Sequence, residues 1–368
     1  MSTEVNKEQT NKSGETKEHT ESFRERSEKK KQEKKDRQKK LFYKGIAVTV
    51  AGLVLIAGVL IWMQTRPSKQ QETVVEATEE PVVEAEPTVE PTEEPWSFEA
   101  VRTDQTAKFG KAVVSKRGVL IDVDQGTILA GKGEKKQIYP ASMTKILTVL
   151  VAAEHVTEEQ LEEKVKITLE VTDYCYRNDC SAVGFAKNEK VPVKDLFYGT
   201  ILPSGADAAV TLANYVAGSQ EEFVKLMNEK LEELGIAETT HFTNCVGLYN
   251  DDHYSTAYDM AIIMKAASEN PLCQEVMNAR TYTTAKNKKH KDGILISNWF
   301  LRRIEDKDTN SEILYAKTGF VNQSGSCAAS MAQDKDGHTY ICVTAGSTSS
   351  WRCIYDHVEL YHSFLPED

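Results

Sequence analysis

Apolar positions along this chain follow three different spacings, and each marks a different kind of segment. From Gly45 to Met63, 19 consecutive residues carry no charge. A helix of that length rises about 28 Å, close to the hydrocarbon thickness of a bilayer. Further on, helical spacing predicts a helix behind Pro140, helices over Val193–Val216 interrupted at Pro203-Ser204-Gly205, and Glu221–Leu234 closed by Gly235. It also predicts Ser255–Ser268, with Ser255 or Thr256 as cap, and a closing helix over Trp351–Phe364. Strand-like stretches appear early and late. Arg117–Asp124 and Thr127–Ala130 read as a hairpin around Gln125-Gly126, with a short strand at Val165–Ile167. Ile313–Thr318, Ser326–Ala332 and Thr339–Ala345 alternate as strands, the last two joined by a turn at Asp334–Gly337. Strands at both ends with helices between predict an α+β fold, in which a sheet built from both termini is covered by helices.

Charge divides the chain further. The 368 residues carry a formal net charge of −11, yet residues 1–44 are rich in Lys and Arg and lack apolar periodicity. Basic residues before an uncharged run, with Tyr43 and Trp62 near its ends, predict a cytoplasmic tail followed by a transmembrane signal anchor over 45–63. That context argues against a nucleic-acid tail. Residues 64–98 are rich in Glu, Pro and Thr and are expected to form an extended extracellular spacer. The globular part is then 99–368. Its seven cysteines include Cys175 and Cys180, near enough in sequence to bridge; an odd count leaves at least one thiol unpaired. The others are expected to pack as small apolar groups. The eight histidines do not cluster with them, so neither a metal nor a cofactor is expected.

Candidate chemistry begins at Ser142-Met143-Thr144-Lys145. Residues three apart share a helix face, so Lys145 can act as the base that makes the Ser142 hydroxyl a nucleophile. Alone, Ser-x-x-Lys is equally the start of a helix with a solvated lysine. Two further stretches weigh against that bland reading: Ser204-Gly205-Ala206 at a break between helices, and Lys317-Thr318-Gly319 on a strand. The three elements, in this order, make up the signature of penicillin-binding proteins and serine β-lactamases.

The chain resembles the serine D-alanyl-D-alanine carboxypeptidases, the low-molecular-mass penicillin-binding proteins. Leu120–Gly126, Asp195–Gly199, His241–Leu248 and His253–Asp259 are similar to that family as well. The resemblance implies a β-lactamase/transpeptidase-like antiparallel sheet flanked by helices, with a helical subdomain. It implies that Ser142 is acylated by the terminal D-Ala-D-Ala bond of peptidoglycan pentapeptide stems, and by β-lactam inhibitors. Lys145 would take the serine proton, with its pKa depressed partly by Lys317, and Ser204 would relay a proton to the leaving amine. Lys317 and Thr318 would bind the substrate carboxylate. Gly319 would admit the substrate backbone, and the amides of Ser142 and Phe320 would form the oxyanion hole. Ala206 departs from the usual Asn and removes an amide; Asp207 beside it is expected to point elsewhere. The small β-domain and C-terminal anchor that the family often adds are not expected here, and attachment is expected through 45–63. The competing readings are a β-lactamase, for which no Glu-x-x-x-Asn loop is evident, and a catalytically weak wall-binding module, which Ala206 would favour.

Overall fold

Six strands organise the structure: β1 (Val101–Lys108), β2 (Arg117–Asp122), β3 (Thr127–Lys132), β4 (Glu312–Val321), β5 (Gly325–Gln333) and β6 (Thr339–Ser347). They lie side by side in the order β1-β3-β2-β6-β5-β4, so the two ends of the sequence meet where β2 pairs with β6. The structure is a computed structural model that describes residues 96–367. The expectations for 1–44 and 45–63, and nearly all of 64–98, lie outside the described residues. Among those described, no helix is long and apolar enough to cross a membrane.

The sheet is mixed rather than wholly antiparallel, because β1 runs parallel to β3. The cause is topological. The short connection after Lys108 reverses the chain into β2, and β3 reverses it again, so β3 must run with β1. Nothing in the apolar pattern foretold β1, since most of Val101–Lys108 faces solvent.

Both faces of the central strands are buried, which explains their unbroken apolar runs. Val119, Ile121, Ala329, Ile341 and Val343 face one core, while Leu120, Ala328, Ala332 and Cys342 face the other. The first face is covered by α1 (Lys145–His155) and, after α2 (Leu169–Arg177), α3 (Val193–Ile201), α4 (Ala206–Ala217) and α5 (Gln220–Glu233), by α6 (Ala257–Glu269) and α7 (Pro271–Asn278). The second face receives the short α8 (Leu301–Ile304) and α9 (Ser350–Phe364). Caps match chemistry: Thr256, rather than Ser255, accepts from Asp259 N at 3.0 Å, and Ser349 accepts from Arg352 N at 3.1 Å. His357 lies fully buried on the second face between the Ser330 and Thr344 hydroxyls, at 2.7 and 3.0 Å, and burial lowers its pKa to about 4.

Candidate active site

The helix expected behind Pro140 begins later than its sequence suggests. Ala141–Thr144 form a 3-10 turn, and α1 starts at Lys145. Ala141 adopts φ +48°, a left-handed conformation uncommon for a residue with a side chain. Its carbonyl is packed against Gly247, where a Cβ would sit 1.9 Å from the Ala141 oxygen. Only glycine fits there, and Gly247 itself has φ +81°. The turn is held from beneath by buried His253. Its Nδ1 accepts from Thr243 N at 3.0 Å, which leaves the proton on Nε2 for Thr144 Oγ1 at 2.9 Å. Burial lowers the His253 pKa to about 3, so the ring stays neutral.

Lys145 is 2% exposed, and its Nζ donates to Ser142 Oγ at 3.2 Å and to Val246 O at 2.7 Å. Burial lowers its pKa to about 8. The Val246 carbonyl is aimed by Asn244, whose Oδ1 accepts from the amides of Val246, Gly247 and Leu248 at 3.2, 2.7 and 3.0 Å. The same side chain donates from Nδ2 to Leu248 O at 2.9 Å. Asn244, Gly247 and His253 were seen in the sequence only as part of a family-like stretch. Their signal was the Asn-x-x-Gly spacing, which acts through the backbone.

Ser204 stands opposite, in the break between α3 and α4, with φ +61°. Lys317 Nζ donates to Ser204 Oγ at 2.8 Å and to Thr318 O at 2.9 Å. The structure thus brings the four residues together as two lysine–serine pairs. One part of the electrostatic expectation is reversed. Lys145 owes its depression to burial, whereas Lys317 is pushed well below its ordinary value by burial first and by the Lys145 charge second. Lys317 is also 2% exposed, with Ser204 Oγ and Thr318 O as its partners.

Gly319 has a packing role besides the one expected of it. A Cβ there would lie 2.8 Å from Pro140 O, 2.9 Å from Ser142 N and 2.9 Å from Cys327 Sγ, so the glycine lets β4 seat against the nucleophile's own turn. Thr318 is half-buried on the same strand, and Phe320 is 62% exposed at the mouth of a cleft of about 550 Å³. Ser142, Lys145, Cys180, Ala206, Leu248 and Phe320 are among its lining residues. Asp207 turns away as expected: its carboxylate accepts from the amides of Val183, Gly184 and Phe185 at 2.8, 3.0 and 3.2 Å. Cys175 and Cys180 are both free thiols. Among the described residues no cluster of His, Cys, Asp and Glu could hold a metal ion.

Residues 101–349 match the Peptidase S11 family, described as D-alanyl-D-alanine carboxypeptidase. The D-alanyl-D-alanine carboxypeptidase DacF of Bacillus subtilis is 38% identical over 151 residues, covering 41% of this chain and 38% of that protein. The D-alanyl-D-alanine carboxypeptidase of Streptomyces sp. strain K15 is 30% identical over 259 residues, covering 67% of this chain and 86% of the relative. A solved alanine variant of the Streptomyces K15 DD-transpeptidase superposes with a TM-score of 0.61 at 27% identity, covering 69% of this chain and 99% of that one. The match spans about two-fifths of the length of three curated relatives, 38%, 42% and 39%. With more than half of its length matched by the family model, this chain belongs to the Peptidase S11 family of D-alanyl-D-alanine carboxypeptidases.

Proposed function

We propose that this chain is a serine D-Ala-D-Ala carboxypeptidase that trims peptidoglycan pentapeptide stems through an acyl-enzyme on Ser142. The observation that carries the reading is Lys145 Nζ at 3.2 Å from Ser142 Oγ, buried and with its pKa lowered to about 8. A neutral amine at that place accepts the hydroxyl proton as the serine oxygen attacks the carbonyl carbon. The amides of Ser142 and Phe320 are assigned to the developing oxyanion, and Ser204 to returning a proton to the leaving amine.

Two buried lysines that repel each other titrate as one unit. Lys317 lies well below its ordinary value because it is buried beside the Lys145 charge, so a proton shared by the pair rests more readily on Lys145. A substrate carboxylate near Lys317 and Thr318 draws that proton onto Lys317, because a charge-assisted contact favours the ammonium form. Lys145 is thereby left neutral when the acyl bond is in place. Substrate binding thus activates the base without net loss of a proton.

Residues 45–63 are assigned as a single-pass membrane anchor, with the tail of 1–44 in the cytoplasm, the spacer of 64–98 outside and the catalytic domain in the cell wall. The uncharged run and its basic flank support this orientation. Protease added to intact cells is expected to cut the spacer; protection until lysis would reverse the orientation.

The test of the activity uses a labelled penicillin and a diacyl-Lys-D-Ala-D-Ala peptide. A penicilloyl adduct on the Ser142 peptide together with release of one D-Ala is expected. Rapid turnover of penicillin would favour a β-lactamase instead, and binding of stems without release a wall-binding module.

A further inference from the structure

Helix α2 ends in a turn that places two thiols together in the wall of the cleft. Asp179 takes φ +50°, and Cys180 N then reaches back to Cys175 O at 3.0 Å. This six-to-one closure characteristically brings the side chains of its first and last residues into contact. Here both are cysteines, so the closure sets the Cys175 and Cys180 thiols beside each other. Cys175 is 8% exposed, while Cys180 is half-buried and lines the cleft beside Ser142 and Ala206. The other five cysteines are buried.

The turn is stitched to the second motif. Ser181 O accepts from Ala206 N at 2.8 Å, and the Val183, Gly184 and Phe185 amides end on Asp207. Ser204, with its own φ of +61°, immediately precedes that junction.

We propose that Cys175 and Cys180 form a thiol–disulfide exchange site in the cleft wall, closed by a low-molecular-mass disulfide and acting on acylation through the Ser204 turn. The Cys180 thiolate attacks one sulfur of R–S–S–R and expels RS⁻. The Cys175 thiolate then attacks Cys180 Sγ and expels the second RS⁻, so two thiols are oxidised while one external disulfide is reduced to two thiols. Cys180 is the attacking group because it is the accessible one, and the neighbouring Cys175 thiol holds its pKa below the ordinary thiol value. The turn in its reduced form relies on a left-handed aspartate, which costs conformational energy. The cross-link pins it and turns the Cys180 sulfur away from the cleft towards buried Cys175.

The effect on rate rests on the acyl-enzyme reading above, whereas the bond itself does not. Full-length protein is equilibrated with oxidised or reduced glutathione, and the remaining thiols are alkylated. Trypsin cuts after Arg177, so a 175–180 bond appears as two linked peptides. The oxidised protein is expected to contain that pair and to acylate with penicillin at least about threefold faster than the reduced protein, as a better-held cleft should. Cys175→Ser should keep one glutathione on Cys180 in the oxidised buffer, with no linked peptides and no gain in rate. Absence of the linked pair, or a linked pair with an unchanged rate, overturns the proposal. Failure of both forms to acylate would overturn the carboxypeptidase reading instead, and the linked pair would still decide the exchange chemistry.

Discussion

Replacing Asn244 by Ala removes the side chain that aims the Val246 carbonyl at Lys145. Three backbone amides lose their acceptor, and Leu248 O loses a donor. The loop borders an open cleft, so water replaces part of what is lost. Taking the low end of about 0.5 kcal/mol for each of the four bonds, the ordered loop loses about 2 kcal/mol. If acylation requires Lys145 held at its 2.7 Å bond to Val246 O, the rate falls with the ordered population, by up to about 30-fold. The assay is the second-order acylation constant with a labelled penicillin, beside a melting curve. Asn244→Asp separates positioning from bulk stability. A carboxylate still accepts the three amides but adds a negative charge near Lys145, raising its pKa and moving the pH profile upward. Wild-type acylation by a folded Asn244→Ala protein would refute the reasoning, as would an Asp variant with the profile unmoved.

Three other outcomes follow from the geometry. With a carboxylate substrate, kcat/KM should peak below about pH 8 and fall above it, because the working form keeps the pair's single proton; a neutral ester should instead gain rate up to a plateau above pH 8, and identical profiles would exclude the proton shift. Lys145→Met should abolish acylation yet raise the melting temperature at pH 7. The folded-state pKa of about 8 lies below the unfolded value, so the stability tied to this group is present above about pH 10 and lost as pH falls to 8, a cost of about 3 kcal/mol; an unchanged or lower melting temperature would contradict this. Gly319→Ala should destroy acylation and lower stability, since its Cβ meets backbone atoms of Pro140 and Ser142 at 2.8 and 2.9 Å; a variant labelling normally would show that β4 can move aside.

Much of the fold was legible because burial on both sheet faces leaves a strong imprint, as in Leu120-Ile121 and Ile341-Cys342-Val343. β1 was not, because a solvated edge strand such as Val101–Lys108 needs no apolar period. Ser142, Lys145, Ser204 and Lys317 could be picked out by side-chain chemistry. The residues that aim them could not, because Asn244, Gly247 and Gly319 act on the backbone, where a sequence shows only residue type and spacing. The cause of the shift on Lys145 was misjudged for a related reason. Spacing reveals that two lysines share a cleft, but which of them bears the repulsion depends on burial and on partners.

The seat of Gly319 against Pro140 and Ser142 has a mechanical consequence. With no side chain between them, the nucleophile's turn and the β4 edge form a clasp that joins two parts of the chain far apart in sequence. A clasp of backbone on backbone has no rotamers through which to open. The loop bearing Leu248 is held in the same way, since Gly247 packs against the Ala141 carbonyl, so backbone grips the nucleophile's turn from two sides. What remains free at Ser142 is the rotation of its side chain towards Lys145.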